Sequence, residues 1–413
     1  MVIAVVGGLY MAWNIGANDV ANAFGASVGS RALTIKRAVL LAAICEFAGA
    51  FFVGAPVSQT ISGEIIKTQV FSGSAQGLQT FGLGMVAALL GASIWLNVAT
   101  YYSQPVSTTH AIIGAVVGFA VVASGPASVQ WWKMSTIAAS WVVSPLCGAT
   151  MAYLLYRFVI RRHVLESRHP VFMAMGTMPV AFGALAAIIT FSVTYRGLPG
   201  LKLDWPLQWA IPTALGAGLS VGTVLRLALH KRMWRHHVRR AERFQRVEKW
   251  FGYMQVATAC YMSFAHGAND VANAIGPMAA VIQVLWKGQI TDKVPIPWWL
   301  LAVGGAGIVV GLATYGYKVI EAIGRKITEI TPTRGFSSDF STATTVLVFS
   351  KLGMPISTTF VIVGAVMGVG LARGFAAIDL QVVRRIFASW IITIPASAIL
   401  TAIIYAVLTA LRA

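Results

Sequence analysis

The segment 171–193, VFMAMGTMPVAFGALAAIITFSV, runs for 23 residues without one charged side chain. About 20 apolar residues is the length a helix needs to cross the hydrocarbon core of a bilayer, where every backbone polar group must be satisfied within the helix itself. Comparable runs recur near 1–13, 38–55, 81–100, 111–123, 135–160, 208–229, 298–315, 361–372 and 386–411. The pattern predicts an all-α polytopic membrane protein of about 10–12 transmembrane helices. With 57% hydrophobic and 11% charged residues, the chain has too few charges to cover a water-exposed surface. The first run lacks a basic leader and a cleavage-like site, so it reads as part of the mature protein. Cys45, Cys147 and Cys260 each sit singly in an apolar run and suggest neither a disulfide framework nor a cysteine metal site.

A formal charge of +18 invites a nucleic-acid reading, but its placement argues otherwise. Arg226 to Lys249 holds nine Lys or Arg in 24 residues, and Arg157 to Arg168 holds four in 12. Two apolar segments separate the clusters, which puts both on one face, and the positive-inside rule makes that face cytoplasmic. The short loop between those segments carries only Arg196 and Lys202, as an outer loop should. The stretch KRMWRHHVRR therefore reads as a topology-setting linker, with anionic lipid or a partner protein as alternative contacts. No nucleic-acid-binding motif accompanies it. The pairs Trp131-Trp132 and Trp298-Trp299 flank apolar runs and suit an interfacial belt, although core packing would account for them equally well.

The chain is duplicated. GANDVANAFG (16–25) returns as GANDVANAIG (267–276), and QPVSTTHAIIGAVVG (104–118) returns as MPISTTFVIVGAVMG (354–368). Trp141 and Pro145 recur as Trp390 and Pro395. Three motifs in one order at nearly one offset define two halves, the signature of transporter repeats that meet at a midplane site. The implied organisation is a first repeat over 1–160, a connecting helical hairpin over 161–230, a basic linker over 231–249 and a second repeat over 250–413.

Helical spacing puts Asn18, Asp19 and Asn22 on one face, and likewise Asn269, Asp270 and Asn273. Their oxygens, with carbonyls freed where glycine permits unwinding, make a hard-ligand set suited to Na+. The competing reading is close helix packing glued by interhelical amides. An ionisable residue inside a membrane nevertheless points to function, and here it occurs twice. The second motif places Pro105-Val106-Ser107-Thr108-Thr109 and Pro355-Ile356-Ser357-Thr358-Thr359 at the start of two half-helices, after breaks at Ser103-Gln104 and Gly353-Met354. Proline suits a first helical turn, and Ser and Thr are N-terminal caps. Free N–H groups, hydroxyls and the positive dipole end form an anion site, and two facing ends would enclose a tetrahedral oxyanion. The alternative is a proline kink whose Ser and Thr bond back to their own helix.

None of the four motifs contains Lys or Arg, so a bound phosphate needs an accompanying cation. Moving an anion into a negative interior costs about 2.3 kcal/mol per charge per 100 mV, which inward Na+ or H+ offsets. Cation-coupled uptake follows, rather than a passive channel.

The paired GANDVANA and P-[VI]-S-T-T segments resemble the PiT-type inorganic phosphate transporter family across nearly the whole chain. The resemblance implies a dimeric inner-membrane symporter of inverted repeats with discontinuous, re-entrant helices. In it the ANDVAN residues would hold Na+, and Ser107, Thr108, Thr109, Ser357, Thr358 and Thr359 would hold phosphate. It also implies supporting roles for two acidic residues, Glu46 and Asp339. The family usually has Glu at the second place, and Phe360 stands where His often follows Ser-Thr-Thr, a pattern His110 keeps. Proton-coupled members and sulfate carriers exist in the family. The expected partners are phosphate, sodium and lipid, with no organic cofactor. Gly25-Ala26-Ser27-Val28-Gly29 fits a hydrolase nucleophile pattern but lacks its strand context, and Ser107 with His110 is a second hydrolase alternative. No phosphate-binding ATP loop is present.

Overall fold

The computed structural model describes residues 1–19, 21–30, 32–101, 106–195, 204–233, 242–291, 294–317, 331–374 and 380–411. Among these residues the structure is built from helices, with a single isolated antiparallel bridge between Ile66 and Val129. The first half comprises α1 (Val2–Asn18), α2 (Ala21–Gly29), α3 (Ile35–Val53), α4 (Ala55–Gln59, continued by a π-turn over Thr60–Glu64) and α5 (Gln69–Ser72). It continues with α6 (Ala75–Tyr101), α7 (Thr108–Ser124) and α8 (Trp131–Leu154, extended in π geometry to Leu165). A hairpin of α9 (Pro170–Thr194) and α10 (Leu207–Met233) follows. The second half holds α11 (Arg243–Lys287), α12 (Trp298–Gly311, continued to Gly316), α13 (Pro332–Lys351), α14 (Thr358–Arg373) and α15 (Leu380–Ala410).

Among the described residues six helices are long and apolar enough to cross a membrane, and α3 with α4, bent by 61° at their break, passes the same test as a pair. The helices that carry the repeated motifs stand outside that group because α1, α7 and α14 are short and α11 is interrupted by polar residues. Apolar side chains point outward over much of α10 and α15, as in Leu215, Leu219, Val224, Ile399 and Ile403. Such surfaces are stable only against lipid or another apolar partner. Trp131, Trp132 and Trp298 are exposed at the starts of α8 and α12, where an interfacial belt would place them.

The halves interlock. The half-helix α7 of the first packs on α15 of the second, while α14 of the second packs on α8 of the first. Gly8 of α1 lies against Met278 of α11, whereas Asp19, at the other end of α1, lies near Asp270. The two helices bearing GANDVANA thus run antiparallel. Small residues permit the close crossings: a Cβ on Gly49 or Gly267 would overlap the backbone of Phe264 or Glu46, so α3 is pressed directly onto α11. Gly307 and Gly311 pack against Ala12 and Trp13 of α1, so this GxxxG serves an intramolecular contact.

Candidate functional site

The second GANDVANA lies within one continuous helix, α11, and is wholly buried. Asn269, Asp270 and Asn273 are each 0% exposed. As the spacing requires, both amides turn to the same carboxylate: Asn269 Nδ2 donates to Asp270 Oδ1 at 3.0 Å and Asn273 Nδ2 at 3.1 Å. The helix stays wound, so the expected carbonyls freed by glycine are not found in this copy. The carbonyl beside it comes from Ile356 of the opposing loop, which accepts from Asn269 Nδ2 at 2.8 Å.

The first copy differs. There α1 ends at Asn18, Asp19 is its C-terminal cap and α2 resumes at Ala21. Val20 between them lies outside the described residues. Asp19 is buried, its Oδ2 has no hydrogen-bond partner, and the Thr108 hydroxyl bonds its carboxylate. Asn18 is half-buried, and the Asn22 side chain lies outside the described residues.

The half-helices begin where the motif predicts. Ser107 and Ser357 are the N-terminal caps, with their hydroxyls accepting from the His110 and Phe360 amides at 3.2 and 3.3 Å. Pro355 lies two residues before its cap, not in the first turn: Ser357 occupies the cap, so the extended residues before it belong to the loop. That loop follows the end of α13 and reverses at Gly353, whose φ of 68° is left-handed. The corresponding break at Ser103-Gln104, with Pro105, lies outside the described residues, as do Arg196, Lys202, residues 234–241 of the linker and the Trp390 side chain. The 352–357 loop is held by side chains from several helices. Thr60 donates to Gly353 O at 2.7 Å, Trp141 Nε1 to Pro355 O at 3.1 Å and Thr109 to Ile356 O at 3.0 Å.

The two tips converge on Asp270. Thr109 of α7 reaches its Oδ1 at 3.2 Å, and Thr358 of α14 donates to its Oδ2 at 3.0 Å. Thr108 accepts from Asn273 Nδ2 at 3.2 Å, so one hydroxyl bridges the two GANDVANA copies. On the other face of the tips, the His110 and Phe360 rings meet at 4.4 Å, with Trp141 at 3.9 Å from His110. These equivalent positions, one His and one Phe, thus touch each other, and neither ring nitrogen of His110 has a polar partner. An α-helix presents unbonded N–H groups at its N-terminus as a general rule. The dipoles of α7 and α14 direct positive potential at a point now held by a carboxylate.

Behind Asp270, His266 spans two acids. Its Nδ1 lies 3.0 and 2.9 Å from the two Glu46 oxygens, and its Nε2 lies 2.8 Å from Asp270 Oδ2 without hydrogen-bond alignment. Ser263 donates to Glu46 Oε1 at 2.9 Å. Ligand atoms of Asp19, His266 and Asp270 fall within 4.8 Å of one another. His266 thus stands at the centre of the acidic cluster. Ser263 and Ser350, which bonds Asn269 Oδ1 at 3.4 Å, carried no sequence signal because neither belongs to a repeated motif. Asp339 of α13 is fully buried, and neither carboxylate oxygen has a hydrogen bond; the neighbouring Ser338 hydroxyl donates instead to Gly335 O at 3.0 Å.

The buried atoms left without donors include Asp19 Oδ2, Asn273 Oδ1 and both oxygens of Asp339. All are acceptors. Burying unpaired carboxylate oxygens is costly unless a charge or donor arrives to meet them, and a hard cation beside Asp19 and Asp270 would meet that need.

A model of the phosphate transporter family matches residues 15–401. A protein of Pyrococcus abyssi assigned as a phosphate permease is 46% identical over 409 residues, spanning 99% of this chain and 98% of its own. The chloroplastic inorganic phosphate transporter 2-1 of Arabidopsis thaliana is 44% identical over 423 residues, 96% of this chain and 70% of its own length. A solved structure described as the sodium-dependent phosphate transporter is similar with a TM-score of 0.91 at 39% identity, covering 99% of this chain and 98% of that one.

Proposed function

The chain belongs to the phosphate transporter family, and from that premise we propose that it imports inorganic phosphate by symport with Na+, through alternating access of two inverted repeats. It is a transporter and not an enzyme. The observation that carries the reading is the meeting of both Ser-Thr-Thr tips on the carboxylate of Asp270. Without phosphate, Asp270 is the anion those tips receive. Phosphate and an ionised Asp270 then compete for the same two hydroxyls, and they repel each other. Na+ bound by Asp19, Asp270, Asn269 and Asn273, with Asn18 and Asn22 as further candidate ligands from the motif, neutralises the carboxylate and draws it away from Thr109 and Thr358. Those hydroxyls, with Thr108, Thr359 and the N-terminal dipoles of α7 and α14, then turn to the oxyanion, while Ser107 and Ser357 cap and orient the helices. Coupling is therefore electrostatic: the cation creates the anion site.

The antiparallel course of α1 and α11 supports inversion, since equivalent helices in inverted repeats cross the membrane in opposite directions. In the same reading, residues 1–160 and 250–413 are the repeats, 161–230 is a peripheral hairpin, and 231–249 is a cytoplasmic linker of a homodimer in the plasma membrane. Glu46 holds His266 against Asp270, and the uncompensated Asp339 offers a further cation contact. His266, flanked by carboxylates on both nitrogens, favours proton coupling as the second reading. Labelled phosphate uptake into proteoliposomes separates the two. A Na+ gradient at equal pH should drive uptake, and uptake driven only by a pH gradient would replace Na+ with H+. Competition by unlabelled phosphate but not sulfate should identify the anion.

A further inference from the structure

On the basic face of the molecule, an open cleft of about 340 Å³ is lined by Tyr156, Arg161, Leu165, Glu166 and Arg373. Its walls come from two elements that the transport reading leaves unused at these ends: the π-helical extension of α8 and the last turn of α14. Two of the five lining residues are guanidinium groups and one is a carboxylate. Arg161 Nε donates to Glu166 Oε1 at 3.0 Å, and its Nη1 reaches Ala372 O at 3.4 Å. That ion pair is exposed on both sides, and such pairs contribute little and exchange readily. Arg373 is exposed and makes no hydrogen bond or ion pair with the other described residues. Arg157, Arg162 and Arg168 stand in the same segment with Glu166 as its one acid, so the local field is positive.

We propose that this cleft is a second anion site that takes a phosphate group, carried either on an anionic lipid headgroup or free in solution. Guanidinium forks match the paired oxygens of a phosphate. A phosphate there displaces Glu166 from Arg161 and gives Arg373 a partner that no other described residue supplies. The buried Tyr156 body and Leu165 leave room beside the charges for an organic substituent. The site also reaches the transport machinery. The cleft closes on the C-terminal turn of α14, and α14 begins at the Ser357 cap, 16 residues and about 24 Å away along its axis. An anion bridging Arg161 and Arg373 ties the far end of the second substrate half-helix to α8. The proposal goes beyond the transport reading and does not depend on which ion drives transport.

Hydrogen–deuterium exchange of the full chain in nanodiscs tests it. The three preparations are phosphatidylcholine alone, phosphatidylcholine with phosphatidylglycerol, and phosphatidylcholine with inorganic phosphate. Amides of 164–167 and 371–374 should exchange roughly tenfold more slowly with an added phosphate source, the scale of one hydrogen bond to a charged group. Slowing with phosphatidylglycerol alone assigns a lipid headgroup; slowing with inorganic phosphate alone assigns the free anion. In Arg161→Gln/Arg373→Gln the slowing should vanish. Arg373→Gln alone, which removes a group without a partner among the described residues and leaves the Arg161 contacts intact, should weaken it about tenfold. No slowing from either source, or undiminished slowing in Arg373→Gln, overturns the proposal. Loss of phosphate-dependent protection at 107–110 instead would count against the transport site and leave this one standing.

Discussion

Replacing Asp270 by Asn removes one charge and keeps the shape of the side chain. In the structure its two oxygens receive Thr109 at 3.2 Å and Thr358 at 3.0 Å, and a phosphate taking over those hydroxyls would sit about two hydrogen-bond lengths away. At about 5 Å and an effective dielectric near 20, the repulsion between Asp270 and each unit of phosphate charge is about 3 kcal/mol. That corresponds to roughly a two-hundredfold weakening of phosphate binding in the absence of Na+. Asp270→Asn should therefore bind phosphate more tightly than the parent when Na+ is absent and should respond little to added Na+. Na+-driven accumulation should be lost, because binding no longer waits for the cation. Equilibrium binding of labelled phosphate to purified protein, with and without saturating Na+, provides the assay. The reasoning fails if the variant keeps the full Na+ stimulation, or if its Na+-free binding is weaker than that of the parent while the fold is intact.

Thr109→Val and Thr358→Val each delete a hydroxyl that the account assigns to phosphate, so each should weaken binding about tenfold in saturating Na+, and Thr→Ser at either place should largely restore it. Asp339→Asn removes a fully buried carboxylate that lacks hydrogen bonds; thermal melting without ligand should rise, while Na+-dependent uptake falls, and a lower melting temperature would contradict the assignment. Gly267→Ala would drive a Cβ into the backbone of Glu46, which should cost about 1–3 kcal/mol and be visible as a lower melting temperature together with poorer Na+ affinity, since α3 carries Glu46 and α11 carries Asp270.

The pattern of apolar runs indicated a helical membrane protein, and the repeated motifs led to the clustered site, because both signals act locally: a run long enough to span must be a helix, and Ser before Thr-Thr caps one. The asymmetry between the copies was not legible. The second GANDVANA lies inside one continuous helix, whereas in the identical first copy α1 ends at Asn18 and α2 begins at Ala21, so the octapeptide alone does not set the helix boundaries. The position of Pro355 before the cap was misread for a related reason, since proline tolerates both places and only the loop's anchors distinguish them. The setting of His266 was not legible, because its partner Glu46 lies 220 residues away. Asp339 and Glu46 were reached through family resemblance alone.

The central claim is that Na+ hands the Thr109 and Thr358 hydroxyls from Asp270 to phosphate. A density map of the protein with Na+ and phosphate bound tests this most directly. The account predicts the anion between residues 107–109 and 357–359, both hydroxyls turned to its oxygens, and a cation against Asp270. A phosphate bound elsewhere, or one seated there while both threonines still donate to Asp270, would contradict it.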